Sequence, residues 1–243
     1  LIPALDYMRT DKNAEPDPVY IKTKLKDLLS VNPDAPIYIT QGYICRNAYG
    51  EIDNLQRGGS DYSASLIGAA IQADEIQIWT DIDGMHNNDP RFVKNTSPVR
   101  YLHFEEAAEL AYFGAKILHP TCILPAKLNN IPVRLLNTME PEAPGTLIYN
   151  QSEPGKIKAV AAKDGITAIK IKSGRMLLAY GFLRKVFEIF ESYQTAIDMV
   201  TTSEVGVSVT IDNTKHLTEI LDDLKIELGL TDESDVALLA SKI

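Results

Sequence analysis

The stretch LQRGGSDYSASLIGAAIQADEIQIWTDIDGMHNNDPR, residues 55–91, decides most of the architecture. Within it, GGSDYSASLIGAAIQA (58–73) reads as a helix entered from two glycines. Ala64, Ile67 and Ile71 fall on one face, and Ser60 or Asp61 is the expected N-cap. DEIQIWTDIDG (74–84) then reads as a strand that breaks into a turn at Gly84. Working outward, a helix is predicted from Tyr20, with Ile21, Leu25, Leu28 and Leu29 at helical spacing and Pro33 beyond its end. Residues 1–19 read as a short strand and a loop, and PIYITQGYI (36–44) as a buried strand. FEEAAELAYFGA (104–115) is a helix closing at Gly114, and another starts with Pro120 and stops near Asn129–Asn130. IPVRLLN (131–137) is again a strand. Strands alternating with helices of this length predict an α/β fold, a mostly parallel sheet covered by helices on both faces.

The texture changes over 138–156, where Pro141, Pro144, Gly145, Pro154 and Gly155 suggest a linker interrupted by one short strand, Leu147–Tyr149. Beyond it the predicted order is strand (166–172), helix (181–193), strands (195–201 and 205–211), helix (215–228) and strand (234–241). That β-α-β-β-α-β order is ferredoxin-like. Two domains are expected, 1–150 and 156–243.

Composition bounds the function. The 243 residues carry 24 Lys+Arg against 33 Asp+Glu, a net charge of −9, which argues against nucleic acid as partner. No apolar run approaches the roughly 18 residues of a membrane span. The opening LIPAL is too short for a signal peptide. Two cysteines, Cys45 and Cys122, without CxxC spacing, fit a reducing cytoplasm and exclude a Cys-rich zinc site. Because the first residue is Leu1, the natural protein is expected to begin upstream.

Three segments carry candidate chemistry. In QRGGSD (56–61), two glycines at a helix start expose backbone N–H groups at the positive end of the helix dipole, and Arg57 adds a fork suited to carboxylate or phosphate. Asp61 has three uses open to it: capping the helix, orienting Arg57 or a lysine, or helping hold a metal. The ordinary alternative is a tight strand-to-helix turn. In WTDIDGMHNNDPR (79–91), Thr80 and Asp81 sit where a strand ends, the position at which open α/β sheets bind ligands, and Arg91 has the reach for nucleotide phosphates. A surface loop rich in Asp and Asn is the plain alternative. In FGAKILHP (113–120), a glycine bend can aim Lys116 into a cleft, against the alternative of a solvated lysine. No GxSxG, HExxH, Walker or GxGxxG sequence occurs.

Taken in order, these segments together with HFEEAAELAYFGAKILHP and IPVRLLNTMEPEAPGT resemble the aspartate kinases of the amino acid kinase family. The stretch GFLRKVFEIFESYQTAIDMVTTSEVGVSVTID (181–212) resembles their ACT regulatory domain. The resemblance implies a partial kinase domain at 1–150 and an ACT domain at 156–243. It implies ATP and Mg²⁺, L-aspartate as substrate, and 4-phospho-L-aspartate as product. Arg57 and Ser60 would hold the substrate, Asp61 and Lys116 would be catalytic, and Thr80, Asp81, His86, Arg91 and Lys116 would meet the nucleotide. His86 stands where many relatives carry Tyr. Met176, Asp198, Thr202, Ser203 and Glu204 would form an effector site for lysine or threonine, in a homodimer paired through ACT domains. The family's upstream KFGGTS-type segment is missing, so the chain alone is expected not to turn over. ADP release at the rate of a full-length kinase would refute that. Two other readings remain open: another amino acid kinase, or a non-catalytic amino-acid sensor that dimerises through its ACT domain.

Overall fold

The computed structural model describes residues 1–56, 58–112, 120–152, 155–173, 176, 180–230 and 236–240. The chain divides into two compact units, Leu1–Ala161 and Ala162–Ile243.

In the first unit, a short 3₁₀ turn (Ala4–Asp6) leads to helix α1 (Pro18–Ser30), capped by the Asp17 carboxylate, which accepts from Tyr20 N–H at 3.0 Å. Pro18 opens that helix, where its missing N–H costs nothing. A small hairpin, β1 (Ile44–Arg46) and β2 (Ile52–Asn54), precedes α2 (Gly59–Ile71) and β3 (Ile76–Thr80). Then come β4 (Tyr101–His103), α3 (Phe104–Tyr112), a 3₁₀ turn (Pro120–Ile123), α4 (Leu124–Leu128), β5 (Val133–Asn137) and β6 (Thr146–Tyr149). The main sheet runs β3-β5-β6-β4, with β3 parallel to β5, β4 parallel to β6, and β5 antiparallel to β6. One face of it packs a core of Ile76, Ile78, Val133, Leu135, Ile148 and Leu102 against Phe104, Ala107 and Ala126 from the helices. Burying side chains of this size contributes roughly 1.5–3 kcal/mol each. A second cluster, built from Tyr7, Met8, Ile21, Leu25, Cys45 and Leu66, lies between α1 and α2.

Several expectations change here. Of residues 1–19, the first seventeen form a 3₁₀ turn and isolated bridges rather than a strand, and Pro18 and Val19 already belong to α1. The stretch 36–43 forms no strand: Ile37 and Ile39 are exposed, Ile39 C=O accepts a single bond from Ile2 N–H at 2.8 Å, and Tyr43 turns the chain at a positive φ of 73°. A strand requires a partner, which local composition does not supply. The short strand expected at Leu147–Tyr149 is present as β6 (Thr146–Tyr149), but it belongs to the main sheet, joining β5 to β4 with Ile148 fully buried, rather than interrupting a linker. β4 has no counterpart in the sequence reading.

The second unit contains β7 (Thr167–Lys172), α5 (Phe182–Ser192), β8 (Met199–Ser203), β9 (Gly206–Ile211), α6 (Leu217–Leu228) and β10 (Val236–Ala240), in the β-α-β-β-α-β order. Its antiparallel sheet runs β10-β7-β9-β8. Val207, Val209 and Ile211 point one way, as their alternation requires, and bury against Val186, Phe190, Ile220 and Leu224. β8 is an edge strand, exposed along its whole length.

Candidate functional site

The start of α2 is built by backbone geometry. Gly58 is its N-cap in the left-handed conformation (φ 66°), and no side chain caps the helix, so neither Ser60 nor Asp61 takes the expected N-cap role. Both lie inside the first turn, with Ser60 Oγ donating to Asp61 Oδ1 at 3.4 Å. Gly59 is buried because a Cβ there would sit 2.6 Å from the Tyr43 ring. Ser63 ties the same region together, donating to Gly59 C=O (2.7 Å) and accepting from Tyr43 N–H (2.9 Å). The Cys122 thiol donates to Gly58 C=O at 3.2 Å, joining the 3₁₀ turn to the helix start. An open depression is lined here by Tyr43, Gln56, Gly58, Gly59 and Ser60. Burial pushes the Asp61 carboxyl above its ordinary range, with the Ser60 hydroxyl partly opposing it. Although Gly59 N–H is taken by Gln56 C=O (3.1 Å), the positive dipole end of α2 beside one half-buried acid suits an anion and its counter-cation.

The second element lies at the carboxyl end of β3. Gly68, late in α2, packs on Ile76, the first residue of β3, across a short turn. A helix joined that tightly to the strand beneath it runs antiparallel to that strand. The first turn of α2 and the end of β3 therefore occupy the same end of the unit. Thr80 is consumed by its own turn, its hydroxyl accepting from Ile82 N–H (3.1 Å). Asp81 is exposed. The loop then folds back: Val99 N–H donates to Met85 C=O (2.7 Å) and Asn87 N–H to Ser97 C=O (2.9 Å).

His86 is internal cement for this loop. Its Nε2 lies 2.8 Å from Asp83 Oδ1 and its Nδ1 2.9 Å from Thr96 Oγ1, so both ring nitrogens are engaged. Arg91 is folded back on Asp89, with Nε 2.9 Å from Oδ1 and a closer contact from Nη2 to Oδ2. That carboxylate holds the guanidinium more firmly protonated. Arg100 braces the loop from outside, donating to Gly145 C=O at 3.1 Å and lying 3.6 Å from Asp83 Oδ2. Arg57 and Lys116 lie outside the described residues.

Residues that the sequence reading did not single out complete the frame. Thr146 Oγ1 accepts from Met85 N–H (2.8 Å) and donates to Val99 C=O (2.6 Å). Asn137, nearly buried beside Thr80 in register, caps the end of β5 by accepting from Met139 N–H at 2.9 Å. Val160 N–H donates to Asn87 C=O (2.9 Å), and Lys158 pairs with Glu106 at 2.8 Å. None of these carries a motif. Each is recognisable only once β6 and the stretch after it are seen beside the loop.

In the second unit, Thr202 and Ser203 end β8 and Glu204 forms its turn, all exposed. Met176 is nearby: its N–H donates to Ser173 C=O (3.1 Å), and Ser173 N–H donates to Val205 C=O (3.0 Å). Asp198 lies at the far end of the strand, its N–H donating to Thr210 C=O at 2.8 Å. Five residues of strand, at about 3.3 Å each, separate it from Ser203. A single chain therefore does not gather these five residues around one small ligand.

With this geometry in hand, the match to known proteins decides the family. The model of the amino acid kinase family matches residues 2–137, more than half of the chain. The chain belongs to the amino acid kinase family. Among family relatives, it is 44% identical over 185 residues to aspartokinase 1, chloroplastic, of Arabidopsis thaliana, covering 75% of this chain and 32% of that protein. The crystal structure of E. coli aspartokinase III in complex with aspartate and ADP is 34% identical, with a TM-score of 0.80, over 99% of this chain and 55% of that one. The structure of the same E. coli enzyme in complex with lysine and aspartate is 35% identical, with a TM-score of 0.74, over 98% and 54%. The amino acid kinase chain thus spans a third to about half the length of these relatives. No described helix is long and apolar enough to cross a membrane.

Proposed function

We propose that this chain forms part of an ATP-dependent aspartate kinase. It would move the γ-phosphoryl group of ATP onto the side-chain carboxylate of L-aspartate and yield 4-phospho-L-aspartate, the step that opens lysine, threonine and methionine biosynthesis. The observation that supports this most is the anion-ready start of α2, with Ser60 and Asp61, at the same end of the unit as Thr80 and its loop. Its likeness to an E. coli enzyme crystallised with aspartate and ADP points to the same substrates.

The nucleophile is already an anion, so no general base is needed; the barrier lies in bringing it to a polyanion. The residues are suited to positioning and charge rather than proton transfer. Arg57 and Ser60 are assigned to the aspartate, and Lys116 to offsetting phosphate charge. Thr80, Asp81 and the 83–99 loop line the nucleotide. Arg91 reaches phosphate only by leaving Asp89, and His86 serves by holding the loop's shape rather than by stacking. Magnesium, when bound, neutralises phosphate charge. Among the described residues no three acidic, His or Cys side chains cluster to hold an ion unaided. Asp61 would be the protein's carboxylate for that ion.

The same reading makes the second unit an ACT domain that binds a feedback amino acid, lysine or threonine. Two copies would place the Asp198 end and the Thr202–Glu204 end around one ligand. Exposed β8, with Met199, Val200 and Val205 open, offers an edge for that homodimer. Two buried cysteines, Cys45 and Cys122, suit a reducing cytoplasm.

The test is trapping of the acyl phosphate. The protein in its full natural length, given ATP, Mg²⁺, aspartate and hydroxylamine, should form aspartyl hydroxamate, and Asp61→Asn should abolish it. Hydroxamate from glutamate or acetylglutamate, with none from aspartate, would transfer the reading to another amino acid kinase.

A further inference from the structure

The base of the 83–99 loop is an antiparallel ladder missing its second bonds. His86 and Pro98 face each other as a bridge, flanked by the pairs Met85–Val99 and Asn87–Ser97. Each flanking pair should exchange two N–H···O bonds. Each makes one: Val99 N–H to Met85 C=O, and Asn87 N–H to Ser97 C=O. At the first pair, the two groups left over, Met85 N–H and Val99 C=O, are both taken by the Thr146 hydroxyl, at 2.8 and 2.6 Å. Thr146 is fully buried and starts β6, in the middle of the sheet, 61 positions from Met85. Gly84 makes the insertion feasible: its φ of 111° and missing Cβ bring the chain against Thr146, where a Cβ would lie 2.2 Å from Oγ1.

We infer that Thr146 is a positioning residue for nucleotide binding, wedging its hydroxyl into the loop base to set where the Asp81–Arg91 segment stands relative to the sheet edge. The inference rests on the assignment of that loop to the nucleotide. A hydroxyl that both donates and accepts is required, since the two backbone groups have opposite polarity. The aspartate-binding start of α2 makes no described contact with Thr146, so the effect should fall on ATP and spare aspartate.

The experiment compares Thr146→Val, isosteric but without the hydroxyl, and Thr146→Ser in the full-length protein. Steady-state kinetics without feedback amino acid are read together with ADP affinity by calorimetry. Two lost hydrogen bonds at about 1 kcal/mol each correspond to about a factor of thirty in an equilibrium constant. Thr146→Val should therefore raise KM for ATP and Kd for ADP by up to about thirtyfold, with KM for aspartate and kcat at saturation within about twofold, and Thr146→Ser should restore the parent values. Equal losses for both substrates, no change, Ser as impaired as Val, or a Thr146→Val protein that does not fold would each overturn the positioning role. A parent that binds no ADP would overturn the nucleotide assignment itself and this inference with it; a parent that binds ADP normally while Thr146→Val matches it would overturn the inference alone.

Discussion

Gly84→Ala should destabilise the first unit sharply, and the loss should depend on Thr146. At φ 111° an alanine is in a region that costs an L-residue about 1–3 kcal/mol. Its Cβ would also lie 2.2 Å from Thr146 Oγ1 and 2.8 Å from Thr146 N. Relief requires Thr146 to rotate away, giving up bonds to Met85 and Val99 worth about 1 kcal/mol each. The sum is about 3–5 kcal/mol, which for a protein of this size lowers Tm by about 6–20 °C. Thr146→Ala alone should cost about 2–6 kcal/mol, about 1–3 for each of the two backbone groups it leaves unpaired. In the double variant the hydroxyl is already gone, so the bonds cannot be lost twice. A double-mutant cycle by urea denaturation should therefore show a coupling of about 1–2 kcal/mol, the pair costing less than the sum of the singles. If the two losses simply add, or if Gly84→Ala melts within 2 °C of the parent, the close approach of Gly84 to Thr146 does not govern this loop.

Ile148→Ala should cost about 2–5 kcal/mol by denaturant melt, because Ile148 is fully buried in β6; a cost below about 0.5 kcal/mol would show that β6 is not part of the packed core. Asp61→Asn should show stability and activity moving in opposite directions. Burial raises the Asp61 pKa, so the folded chain holds that proton more tightly, and stability is lost as pH rises through the raised value. The helix dipole offsets part of this loss. The Asn variant should therefore gain Tm relative to the parent between pH 4 and pH 7, with the difference vanishing below the ordinary value of 3.8, while hydroxamate formation stops. A Tm difference that is flat with pH would refute the burial account. Lysine or threonine should raise the Tm of the second unit, with methionine as control; no shift with any of the three would remove the effector assignment.

Much of this protein was legible before folding. The spacing of Ile21, Leu25 and Leu28, the glycine pair before α2 and the alternation of Val207, Val209 and Ile211 are local patterns, so α1, α2, β9 and the β-α-β-β-α-β order could be read directly. Asp61 and Thr80 could be nominated for the same reason, since helix starts and strand ends mark themselves. Local pattern failed wherever a partner decides the outcome. Residues 36–43 have strand composition, yet Ile39 finds a single long-range backbone bond and Tyr43 turns to positive φ; the strand at Leu147–Tyr149 was legible, but its place between β5 and β4 in the main sheet was not. Likewise Arg91 and His86 look like free ligands in sequence, whereas folding commits one to Asp89 and the other to Asp83 and Thr96. The family resemblance groups Asp198 with Ser203 in one effector site, and within one chain an extended strand holds them at opposite ends. Thr146 is the extreme case: its role is two hydrogen bonds to residues 61 and 47 positions away, and only tertiary packing brings them within reach.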